Sequence, residues 1–122
     1  MKGTMLIYRP EVPDQPYRLD RKADERREFD HAPKLDELKR ALNGGWLESV
    51  PYFDTIEFEG AERKCWVLCD EEGKLKDLAY NKRATALWAT ALMRHGMTGP
   101  MGDVLCGPVV VLFGDDEFME AL

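Results

Sequence analysis

The stretch from Cys65 to Gly96, CWVLCDEEGKLKDLAYNKRATALWATALMRHG, constrains the fold most, because its apolar spacing changes within it from that of a strand to that of a helix. Cys65, Trp66, Val67, Leu68 and Cys69 form an unbroken apolar run, too short for a typical helix and rich in strand formers, which predicts a strand buried on both faces. Asp70, Glu71, Glu72 and Gly73 stop it. Gly73 would supply the positive φ that closes the turn, and Lys74 and Leu75 would begin a return strand. From Asn81 the period is helical: Ala84, Leu87, Trp88, Ala91 and Leu92 fall at i, i+3, i+4, i+7 and i+8 on one stripe. Asn81 suits the N-cap and Gly96 the position just past the end. A strand and a helix so closely linked require a sheet with this helix packed on it.

The flanking segments extend that frame. Met5 to Tyr8 reads as a short strand, and after the loop punctuated by Pro10, Pro13 and Pro16, the residues Tyr17, Arg18 and Leu19 could pair back with it. The run DRKADERREFD, residues 20–30, mixes both charge signs and reads as a solvated loop or frayed helical turn. Pro33 suits the first turn of a helix whose stripe is Leu35, Leu38, Ala41 and Leu42, ended by Asn43, Gly44 and Gly45. Trp46 to Phe53, interrupted by Pro51, predicts an edge strand or bend. Ile56 and Phe58 alternate with Glu57 and Glu59, and a turn at 60–62 leads into a strand over 63–69, an antiparallel hairpin. Residues 104–113 predict a strand with a dense β-branched core run, Val109 to Leu112, and the acidic tail 114–122 places Phe118, Met119 and Leu122 on one short helical turn. The expected architecture is a single α+β domain over 1–122: an N-terminal hairpin and charged loop over 1–30, then a mainly antiparallel sheet with two helices on one face.

Composition narrows the function classes. With 122 residues and 44% hydrophobic content the chain can bury one core, and its formal charge of −6 argues against broad binding to the phosphate backbone of nucleic acid. No apolar run approaches the ~20 residues that span a bilayer, and the N-terminus lacks a secretory pattern, so a cytoplasmic protein is expected. Three cysteines fit reduced core thiols better than a disulfide framework. No cofactor is implied, and the sequence is compatible with a homo-oligomer.

No catalytic set stands out. Cys65 and Cys69 on one strand would lie about 13 Å apart, too far to grip one metal ion. Cys106 beside a Gly-Pro turn, with His95, is the only candidate nucleophilic pair, and Glu48 is the least surface-like carboxylate. The feature most suggestive of a ligand is the helix start at Asn81, Lys82, Arg83 and Thr85. Two cations there oppose the helix dipole, so something should neutralise them. Together with Lys74 these side chains would hold a phosphate or other anion. Alternatively Asp70, Glu71, Glu72, Asp115 or Asp116 pairs with them internally.

Between Leu38 and Phe113 the ordered stretches LKRALNGGWLESV, LCDEEGKLKDLAYNKRATALW and GDVLCGPVVVLFGDDE resemble the DUF3846 family, small domains of unknown function found mainly in phages and conjugative elements. The matching positions are Gly44, Gly45, Trp46 and Glu48; Glu71, Glu72, Gly73, Lys74 and Leu75; Asn81, Arg83, Ala84 and Thr85; and Asp103 and Gly107. Asp70 stands where that pattern has asparagine, and LAYN where it often has leucine-proline. The resemblance, over a core of residues 34–113, implies a mobile-element origin and, by the company such genes keep, a non-enzymatic protein that binds and inhibits a host defence component, of anti-CRISPR or anti-restriction type. On that reading Asp70, Glu71, Glu72, Asp115, Asp116 and Glu117 form the surface offered to a basic groove of a host protein or ribonucleoprotein complex. The alternative is a sponge for an anionic nucleotide at residues 81–85.

Overall fold

The structure, a computed structural model, describes residues 1–10, 22–73, 75–100 and 102–122. Its elements in chain order are β1 (Gly3–Tyr8), β2 (Glu25–Phe29), α1 (Leu35–Ala41), β3 (Leu47–Ser49), β4 (Thr55–Phe58), β5 (Ala61–Lys64), β6 (Trp66–Asp70), α2 (Lys82–Arg94), β7 (Val109–Gly114) and α3 (Asp116–Glu120). Five strands form one sheet in the order β2-β1-β7-β6-β3, and β4 and β5 form a separate hairpin. Every pairing is antiparallel. The α+β class with a mainly antiparallel sheet is as expected from the sequence.

The helices do not share a face. Alternate residues of the central strands point to opposite sides, and both sides are apolar. Leu6, Tyr8, Val67, Val109, Val111 and Phe113 meet Ala84, Leu87, Trp88, Ala91 and Leu92 of α2. Met5, Ile7, Leu68, Val110 and Leu112 meet Leu38, Ala41 and Leu42 of the α1 segment and Phe118 of α3. An unbroken run such as Val109 to Phe113 exposes one apolar row or the other unless both faces are covered, so the expectation of two helices on one face gives way to three layers.

The charged run is a strand. β2 pairs with β1, with Thr4 opposite Glu28 and Ile7 opposite Glu25, and forms one sheet edge. Its charges are cross-linked: Arg27 Nε to Glu25 at 2.7 Å, Arg9 to Glu25 at 2.6 Å, Arg26 to Glu28 at 2.6 Å and to Glu59 at 3.0 Å. An edge strand tolerates such a pattern because its outer side meets water, and the charges discourage pairing with another chain. The expected pairing of Tyr17 to Leu19 with the first strand lies outside the described residues.

Two further boundaries shift. The predicted 63–69 strand divides at Cys65, whose N–H donates to the Asp54 carbonyl at 2.9 Å, so β5 stays with β4 while β6 enters the main sheet. Glu59 and Gly60, both with positive φ, turn that hairpin. The last strand begins at Val109 rather than 104; before it, Cys106 makes only an isolated bridge to Tyr80. The hairpin is held to α2 by Arg94 Nη1 donating to Thr55 at 3.0 Å, and Phe58 lies 4.9 Å from the Phe113 ring.

Candidate functional site

The start of α2 is built into the fold. Asn81 is fully buried; its Oδ1 accepts from the Ala84 N–H at 3.1 Å, and its Nδ2 donates to the carbonyls of Tyr8 and Gly107, each at 2.9 Å. One amide thus joins β1, the entry to β7 and the helix cap. Thr85 Oγ1 accepts from the Leu105 N–H at 3.0 Å. Arg83 is buried: Nη1 donates to the Lys22 carbonyl at 2.6 Å, while Nη2 donates to the Arg9 carbonyl at 3.0 Å and to the Asp24 carboxylate. Asp24 also accepts from the Arg9 N–H at 2.7 Å.

The sequence-predicted anion ligands are therefore brought together, but three of them face the protein's own polar groups. Lys82 is exposed, and Lys74 lies outside the described residues. The acid that reaches Arg83 is Asp24, none of the five proposed as internal partners, because the β1–β2 pairing brings Arg9, Lys22 and Asp24 to the helix start. Beside this clasp the Tyr8 phenol is pushed up to about 12, chiefly by burial.

The acidic residues expected to form one partner surface fall at two ends. Cys69 is paired with Val109 and Trp66 with Leu112, so the Asp70 turn lies at the start of β7 and the Asp115 cap beyond its end. At roughly 3.3 Å per residue they are about 20 Å apart along the strands. Glu71, Glu72, Asp116 and Glu117 are exposed. Asp115 caps α3 through the Phe118 N–H at 2.9 Å and accepts from the Lys2 N–H at 2.8 Å.

Asp70 is buried and structural. It accepts from Lys76 Nζ at 2.9 Å and from the Glu72 N–H at 2.9 Å. Burial pushes its carboxyl up, but the hydrogen bonds from Lys76 and the backbone outweigh this and hold it below the usual range. Gly45 lies so close that a Cβ there would stand 2.5 Å from Asp70 Oδ2. Gly73 is likewise needed for space: its φ is not positive, but a Cβ would lie 3.0 Å from the Cys106 carbonyl oxygen. The return strand expected after it is replaced by a turn that leaves Leu75 88% exposed.

Beside this turn, on the α2 side of the sheet, is a cavity of about 160 Å³. Val50, Trp88 and Leu105, all buried, form its floor; the half-buried thiols of Cys69 and Cys106 line its wall; the exposed Glu48, Glu71 and Asp103 stand at its rim. Register explains the convergence. Glu48 is directly opposite Cys69, so both point to the α2 face, and the Thr85–Leu105 hydrogen bond fixes the loop that carries Asp103. Sequence reasoning found Glu48 and Asp103 singly but not the cavity, since the β3–β6 register joins segments twenty residues apart.

Other candidate chemistry is dispersed. Cys106 follows Leu105 at the first turn of α2, whereas His95 caps its far end and faces Asp54 at 2.8 Å. From Thr85 to His95 the helix rises about 15 Å. Among the described residues no three His, Cys, Asp or Glu side chains converge as a metal site, and no helix is long and apolar enough to cross a membrane. The fold and site thus define a small three-layer α+β domain with an acidic-rimmed, side-chain-sized cavity. Among known proteins no family model, curated protein or solved structure matches the chain.

Proposed function

We propose that this chain is a non-enzymatic protein of mobile-element origin that binds a host defence component and inhibits it. The observation that carries the reading is the cavity beside the Asp70 turn, where apolar floor and exposed carboxylates meet on a chain of formal charge −6. Defence nucleases and effector complexes hold nucleic acid in basic grooves, and an acidic protein surface competes for such grooves by charge complementarity. The defence role itself rests on the family resemblance. A nucleotide sponge at residues 81–85 gains no support from side chains that already satisfy the protein's own carbonyls and Asp24.

The test is to express the chain in bacterial hosts that each carry one restriction or CRISPR system and measure phage plating. A large rise in plating on one defended host, with none on its defence-deleted parent, supports the reading. Unchanged plating across the panel overturns it.

A further inference from the structure

We propose that the cavity between the Asp70 turn and the 103–106 loop is a docking pocket for a lysine or arginine side chain of a basic partner protein. The inference rests on the reading of this chain as a protein-binding domain and names the chemistry of its contact. The cavity has a volume of about 160 Å³. It suits one long side chain.

Its zoning matches that of a basic residue. Trp88 and Leu105 at the floor accept a methylene stem, while Glu48 and Glu71 at the rim meet the charged head. No Lys, Arg or His is among its described lining residues, and the cation beside it, Lys76, is held 2.9 Å from the Asp70 carboxylate, which leaves Glu48 and Glu71 to an incoming cation. Glu48 and Glu71 form no ion pair or side-chain hydrogen bond among the described residues.

The experiment is an amide-resolved NMR titration of the whole chain with a hexa-arginine peptide, with hexaglutamate and magnesium chloride as controls. Saturable shifts at residues 48–51, 69–73 and 103–106 and at the Trp88 indole are expected, with affinity roughly tenfold weaker in Glu48→Gln/Glu71→Gln. The Asp116→Asn/Glu117→Gln variant should bind as the parent does. Shifts centred on residues 115–117, a response to magnesium alone, or no saturable response would each overturn the proposal. An unchanged urea midpoint confirms that the cavity variant is folded. The two readings fail separately. If the parent protects no host, the inhibitor reading falls while the titration still decides the pocket; if the cavity variant loses peptide binding yet protects fully, the pocket is not the partner contact and the inhibitor reading stands.

Discussion

Reversing the charge at Arg83 separates a structural clasp from a ligand site. In the folded chain Arg83 is 6% exposed, and its guanidinium donates to the carbonyls of Lys22 and Arg9 and to Asp24, with only Nε lacking a hydrogen-bond partner among the described residues. Arg83→Glu places a carboxylate against two carbonyl oxygens and another carboxylate, with every donor removed. Breaking a buried pair from one side costs about 3–5 kcal/mol. Set against the ~5–15 kcal/mol that stabilises a domain of this kind, this is a large share of the total. Arg83→Met keeps most of the apolar stem and leaves Asp24, whose side chain is 21% exposed, able to recover some hydration, so its loss should be nearer 2–3 kcal/mol. At about 4 °C per kcal/mol, Arg83→Glu should melt roughly 12–20 °C lower and Arg83→Met roughly 8–12 °C lower. Urea unfolding followed by Trp fluorescence and far-UV circular dichroism gives both numbers. An Arg83→Glu protein within about 1 kcal/mol of the parent would refute the clasp and return Arg83 to the list of ligand residues.

Three other outcomes follow from the packing and the polar contacts. Phe118 is fully buried under Gly3, whose Cβ, if present, would stand 2.1 Å from its ring, so Phe118→Ala should cost about 3–5 kcal/mol in urea unfolding although it lies only four residues before Leu122. Burial pushes the Cys65 thiol up to about 12, while Cys69 and Cys106 are half-buried; a disulfide reagent at pH 8 should therefore label two thiols readily and the third only in denaturant, as intact-mass spectrometry will show. Asp70 has a lowered carboxyl pKa in the fold, so its contribution is present above the unfolded value near 3.9 and is lost as pH falls through the folded value; acid unfolding of Asp70→Asn should show a shallower loss of stability below about pH 4 than the parent does.

The sequence was legible where one segment decides its own structure. Asn81 and Gly96 bound α2 because cap chemistry is local, and Gly96 takes the positive φ of 78° expected there. The sheet class was readable from Val109 to Phe113, but the helix faces were not, because alternation in an all-apolar strand does not say which row a given helix covers. The run at 25–29 was misread because an edge strand secured by ion pairs between its own alternate residues has the composition of a loop. Arg83 was rightly seen to need an anion, yet Asp24 became identifiable only once β2 was known to pair with β1. The cavity lay beyond reach for the same reason: its wall joins β3, β6, α2 and the 103–106 loop, and no local pattern encodes that meeting.

What distinguishes the rim of the cavity is how its carboxylates differ from those elsewhere. Asp24 binds Arg83, Asp54 faces His95, Asp70 binds Lys76 and the Glu72 N–H, and Asp115 caps α3, so each of these supports folding. Glu48 and Glu71, by contrast, extend from the surface with no ion pair among the described residues. Like charges gathered beside a low-dielectric floor repel one another and add nothing to the stability of the isolated chain. The clasp at Arg83 and the rim at Glu48 therefore divide the sequence-predicted polar residues into those that hold the domain together and those whose charge is left facing outward. Substitutions at the rim alter that outward field without touching the clasp, which is why a change in partner binding there can be assigned to recognition rather than to unfolding.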